Sequence, residues 1–149
     1  RMVGTMIRHH LRPRQMATGN EMPTKRAIHR YFRDVGEVAL DTLYLNMADF
    51  LAARGPSLTR DQMARGSKVI SHILEIGQNI EQPARPAEGS SKLLLDGNDI
   101  MREFGISPGP RIGRVLSAIA EAEAIGEVNT TEEAIRLATQ YLKSEGGGA

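Results

Sequence analysis

A chain of 149 residues with no Cys and no Trp is long enough to bury a core in one domain or two small ones, and it excludes disulfide and thiolate chemistry. No apolar run approaches the length that crosses a bilayer, and Arg1 to Leu11 lacks the apolar core of a signal peptide, so a soluble, cytoplasmic protein with no membrane partner is expected. The net charge of +1 conceals an asymmetry, because residues 1–34 hold eight Arg or Lys against two Asp or Glu, whereas residues 93–149 hold five against nine. A basic first third either concentrates a polyanion such as RNA or simply keeps a solvated face charged.

Met2, Val3, Met6 and Ile7 recur at helical spacing, and the pattern is lost at Pro13. The adjacent His9 and His10 cannot share one helix face. With Asp49 they are weak candidates for a metal site, but no His-Asp dipeptide completes a ligand set. Pro23 and Thr24 open a helix that Gly36 closes; Ala27, Ile28, Tyr31, Phe32 and Val35 form its apolar side, and Lys25, Arg26, His29, Arg30 and Arg33 lie largely opposite. Such a helix can rest on a core and touch phosphates at once. From Glu37 to Arg54 the chain is apolar on most sides, which predicts a central, buried helix. Asp49 within it then needs a partner, from among Arg8, His9 and His10. Thr59 and Gln62 make a capping box for a long helix to about Gln82, with Met63, Ile70, Ile73, Leu74, Gly77 and Ile80 on one face.

Residues 83–91, rich in Pro, Gly, Ala and Ser, read as a linker between a helical body at 1–82 and a helical tail at 92–149. In the tail, Asp96 or Asn98 caps a short helix that Gly105 ends, and Gly109 with Pro110 starts another. The amides of Arg111, Ile112 and Gly113 are then expected to lack carbonyl partners at a partly positive helix end, a place for an anion. Ile112, Val115, Leu116, Ile119 and Ala122 share one side of this helix, and Gly126 ends it. Thr130 and Glu133 cap a last helix carrying Ile135, Ala138, Tyr141 and Leu142. Asp96, Asn98 and Asp99 do not make a calcium loop, because Ile100 and Met101 stand where an oxygen ligand and a Gly are required. The expectation is an all-α protein, a helical bundle of about seven helices in two packed parts.

Residues 93–113, the Glu-Ala-rich helix after them, Gly126 and Thr130-Thr131-Glu132-Glu133-Ala134 together resemble the C-terminal tail of bacterial tRNA nucleotidyltransferases, the CCA-adding enzyme and poly(A) polymerase family. Ile7 to Pro13, Lys25 to Asp34 and Ala48 to Pro56 resemble the region just before that tail in members with an HD-type domain. The resemblance implies an RNA-binding helical fragment that grips the tRNA stem and elbow. Catalysis, Mg and CTP or ATP would belong to an N-terminal head absent from this sequence, since no Gly-Ser or Gly-Gly pair is followed by Asp-x-Asp here. The fragment alone is therefore expected to hold no cofactor and no catalytic residue, and to be inactive. Its implied phosphate contacts are Arg111, Arg114 and the amides beside Gly109 and Gly113, flanked by Lys92, with Arg26, Arg30 and Arg33 as a second surface. Two alternatives stand beside this one. The first is a metal-dependent phosphohydrolase using His9, His10 and Asp49 once upstream residues are restored. The second is a structural bundle that positions the head or forms a homo-oligomer.

Overall fold

The computed structural model describes residues 2–18, 21–81 and 93–146, and every regular element among them is helical. The chain divides into two compact units, Arg1–Gln82 and Pro83–Ala149. Residues 83–91, expected as a linker, lie outside the described residues, as does Lys92. Among the described residues no helix is long and apolar enough to cross a membrane.

In the first unit α1 (Met2–His9), α2 (Arg12–Gln15), α3 (Lys25–Val35), α4 (Ala39–Arg54) and α5 (Arg60–Glu81) follow one another, with single 3-10 turns at Gly36–Val38 and Gly55–Ser57. The Thr24 hydroxyl accepts the Ala27 amide at 3.2 Å to cap α3, and Gly36, at a φ of 65°, closes it in a conformation that favours glycine. Thr59 and Gln62 exchange hydrogen bonds of 3.2 Å each, so the expected capping box does open α5. The core gathers Ile28, Tyr31, Phe32 and Val35 of α3 with Leu43 of α4 and Val69 and Ile73 of α5. Tyr31 is wholly buried and its hydroxyl donates to the Ala39 carbonyl at 2.7 Å; burial pushes this phenol above its ordinary pKa. Gly77 of α5 lies against the Phe32 ring, and a Cβ there would overlap it.

Helix α4 departs from the expectation of burial on most sides. Ala39, Thr42, Leu43, Asn46 and Phe50 face inward, while Leu40, Leu51 and, at 72 % exposure, Tyr44 face solvent. Apolar composition does not select the buried face, because neighbouring elements do. Asp49 is only half-buried, and the polar link from α4 to the end of α1 comes instead from Asn46, whose side-chain amide donates to the His10 carbonyl at 2.6 Å. Met63 of α5 is likewise exposed where an inward position was expected, and Val69 takes a buried place that the periodicity did not assign.

The second unit contains α6 (Gly97–Phe104), α7 (Pro110–Ala124) and α8 (Thr131–Gly146). Asp96 caps α6, accepting the amides of Asn98 and Asp99 at 2.8 and 2.9 Å, and Asp99 returns a bond to the Asp96 amide at 3.0 Å. Gly105 is left-handed, as a helix end favours. Ile112, Val115, Ile119 and Ala122 of α7 pack on Ile100 of α6 and on Ala134 and Ala138 of α8, small residues that admit close approach. Thr130 and Glu133 cap α8, and the Glu133 carboxylate also accepts the Asn129 amide at 2.8 Å. The eight α-helices among the described residues are near the seven expected, and they include the four-residue α2, which carries the buried Pro13.

Candidate nucleic-acid interface

The start of α7 is built as the sequence predicts, with Gly109 as N-cap in extended backbone and Pro110 in the first turn. Gly109 and Gly113 are exposed, and a Cβ at either would meet nothing within 4 Å, so a large anion can approach this end of the helix. One of the three amides expected to be vacant is not: Ile112 donates to the Gly109 carbonyl at 3.1 Å. The first turn closes on its own cap there, which reduces the donors that could face a ligand.

Arg111 is half-buried rather than splayed into solvent. Its Nη2 donates to the Leu142 carbonyl at 2.9 Å, so this side chain ties the start of α7 to the last turns of α8. That placement adds positive charge at the positive end of one helix and satisfies the negative end of another. Arg114, one turn along, is exposed. The structure thus brings Arg111, Arg114, Gly109 and Gly113 to one helix end. Several tail carboxylates that would repel a phosphate are occupied with backbone amides or a cation: Asp96 and Asp99 at α6, Glu133 at α8, Glu123 on the Leu94 amide at 3.1 Å, and Asp99 also on Arg102. The Asp96 amide first, and with it the Arg102 charge and bond, hold the Asp99 carboxyl below its ordinary pKa although loss of solvent pushes the other way. The amides of Asn129 and Thr130 do the same for Glu133.

In the first unit Arg26, Arg30 and Arg33 follow one another along α3, with Arg26 half-buried and the other two exposed. Arg33 is engaged: its guanidinium lies 2.9 Å from the Asp34 carboxylate, which also receives Arg12 at 2.9 Å. Partial burial would raise the Asp34 pKa, but the bonds and charges of Arg12 and Arg33 outweigh it and the pKa is lowered. The basic surface of α3 is therefore partly neutralised by its own acid. Of the weak metal candidates, His10 has its Nδ1 2.6 Å from the Ile7 carbonyl, and His9 and Asp49 are half-buried. Among the described residues no three His, Asp or Glu side chains gather where they could hold a metal ion. His72, which the sequence did not single out, has its Nε2 3.0 Å from the Pro23 carbonyl; 49 positions separate the two residues, and no local signal announces such a pairing.

The sequence family described as tRNA nucleotidyltransferase domain 2 matches residues 57–138, which take in α5, α6, α7 and the first half of α8. The chain belongs to that family. Similar curated proteins include the A-adding tRNA nucleotidyltransferase of Deinococcus radiodurans, 35 % identical over 128 residues that make up 86 % of this chain and 27 % of that protein. The CC-adding tRNA nucleotidyltransferase of Thermus thermophilus is 32 % identical over 134 residues, 89 % of this chain and 26 % of that protein. A shorter stretch of 52 residues, 35 % of this chain and 13 % of the relative, is 38 % identical to the CCA-adding enzyme of Streptococcus thermophilus. No solved structure matches. The chain spans about a quarter of the length of the first two relatives, and as a tRNA nucleotidyltransferase domain 2 protein it has Arg111 and Arg114 inside the matched region and the α3 arginines outside it.

Proposed function

We propose that this chain is the tRNA-gripping, all-helical body and tail of a nucleotidyltransferase, with the start of α7 as a phosphate contact. One comparison carries the reading: relatives that are similar over nearly the whole chain are named for adding different nucleotides, A in one and CC in the other, yet both are named for acting on tRNA. A segment shared by both suits the common substrate rather than the choice of nucleotide. The exposed Arg114, the approachable Gly109 and Gly113, and the occupied acids around them supply the chemistry for sequence-independent backbone contact. The chain spans about a quarter of the length of these relatives, and on this reading transfer from CTP or ATP with Mg belongs to the remaining polypeptide.

The test is a titration with tRNA and with an unrelated duplex at two salt concentrations. Binding should favour tRNA and weaken steeply with salt, Arg114→Glu should lower affinity about tenfold or more, and no CMP or AMP incorporation should accompany binding. Arg111→Glu would also break the Leu142 contact, so each variant is read beside its own thermal melt. Unchanged tRNA affinity in Arg114→Glu removes the α7 site, and incorporation by the chain alone removes the division of labour.

A second reading, that this helical unit seats the rest of the enzyme, is supported by its bare apolar surface. Met2, Val3 and Ile7 of α1 and Leu40, Tyr44 and Leu51 of α4 are exposed, in a chain about a quarter as long as its relatives. On this reading the remaining polypeptide of the longer protein covers them. Tyr44→Glu should shift the stability of this chain by no more than about 0.5 kcal/mol and markedly destabilise the longer protein. Equal effects in both would mean that nothing covers the face.

A further inference from the structure

Phe50 of α4 is buried, and two guanidiniums lie on its ring. The guanidinium carbon of Arg14, in α2, stands 4.7 Å from the ring centroid, and that of Arg54, in the last turn of α4, stands 5.2 Å from it. The two charges are therefore within about 10 Å of one another, a separation at which ordinary salt does not fully screen them. Both side chains are exposed, and among the described residues neither is paired with a carboxylate. No carboxylate lines the hollow around the ring; Arg65 lines it as well and already has a partner. The arginines of α3 differ, because Arg26, Arg30 and Arg33 each interact with another group of the chain.

Stacking on a ring accounts for one such cation more easily than for two, since the second is repelled by the first and no acid offsets the cost. An anion that meets both removes that repulsion. A guanidinium resting on a ring also keeps its planar N–H fork available to a phosphate, and it loses less freedom on binding than a splayed side chain does. We propose that Arg14 and Arg54, preset on Phe50, are the RNA-backbone contact of the first unit and take phosphodiester oxygens there, in place of the α3 arginines that the sequence pattern favours. The assignment rests on the reading that the chain holds tRNA, and it adds a contact in a different unit from the start of α7. Neither residue lies within the 57–138 family match. Such a contact positions the RNA and reads no base.

The experiment titrates the whole chain with tRNA across a range of salt concentrations. Arg14→Gln combined with Arg54→Gln should weaken binding about tenfold and make the slope of log affinity against log salt shallower by about two. Arg8→Gln combined with Arg60→Gln removes the same charge from other exposed positions of the unit, and should cost no more than about threefold. Arg14→Lys combined with Arg54→Lys keeps the charge and loses the fork, so it should restore the salt slope but only part of the affinity. Each variant is checked by thermal melt; if the double glutamine variant is unfolded, Arg54→Gln alone should give about half of the slope change. Wild-type binding that the glutamine pair leaves unchanged, or that the control pair weakens equally, overturns this contact and leaves the tRNA reading standing. Full recovery by lysine overturns it as well, by reducing the site to bulk charge. No binding by the wild type sinks both. Poly-L-glutamate held as tightly as tRNA, and released by the glutamine pair, would assign the two arginines to an acidic protein and overturn the RNA contact.

Discussion

Gly77 shows how much of the first unit rests on one missing methyl. Its Cα lets α5 approach the Phe32 ring, and Phe32 in turn meets Tyr31 edge-on at 5.4 Å between centroids. Gly77→Ala would ordinarily favour a helix, yet here the added carbon lands on a buried ring. A loss of about 1–3 kcal/mol is expected, read as a lower Tm and denaturant midpoint; an unchanged or raised Tm would show that Phe32 moves aside freely. Asn46 has comparable leverage by a different route. It is 1 % exposed, and its amide satisfies the His10 carbonyl across 36 positions of sequence. Neither its partner nor the Leu142 partner of Arg111 was legible in the sequence, because a long-range side-chain bond leaves no periodicity behind.

At the scale of elements, the legible features are the local ones. Thr24, Thr59 with Gln62, Asp96, Gly105 and Thr130 with Glu133 all act within three or four residues of themselves, and helix starts and stops were read correctly from them. The face that each helix buries was less legible. For α7 the inward line of Ile112, Val115, Ile119 and Ala122 follows from spacing, whereas the burial of Glu121 does not. For α4 apolar side chains occur all round, so spacing could not show that Leu40, Tyr44 and Leu51 would remain outside. The candidate site divides in the same way: the helix start at Gly109-Pro110 was predictable, whereas the closing of Ile112 on Gly109 and the turn of Arg111 towards α8 were not. A test at this scale is Thr59→Ala, which removes the cap that accepts the Gln62 amide at the head of α5. About 1 kcal/mol of stability should be lost, and glycine at the same place should cost less; an equal Tm for wild type and alanine would mean that the cap is idle.

For the molecule as a whole, acid is the informative stress. The carboxyls of Asp34 in the first unit and of Asp99 and Glu133 in the second all have lowered pKa values in the folded chain. The unfolded chain therefore binds more protons in acid, so these groups contribute fully above the ordinary carboxylate pKa, near pH 4, and the contribution is lost as pH falls through the lowered values. Tm should be flat near neutrality and decline below about pH 4.5. Asp34→Asn should be less stable at neutral pH and show a shallower acid decline; parallel curves would mean that the pairing with Arg12 and Arg33 contributes nothing. The Arg111 contact carries a different consequence. If the proposed phosphate contact at the start of α7 draws Arg111 off the Leu142 carbonyl, RNA binding would release a tie on the last turns of α8. By reciprocity of linked equilibria, a chain whose last turn is already frayed would hold that RNA more tightly. On that proposal the closing turn of α8 would be an internal rival for the ligand, through the Leu142 carbonyl that Arg111 now satisfies.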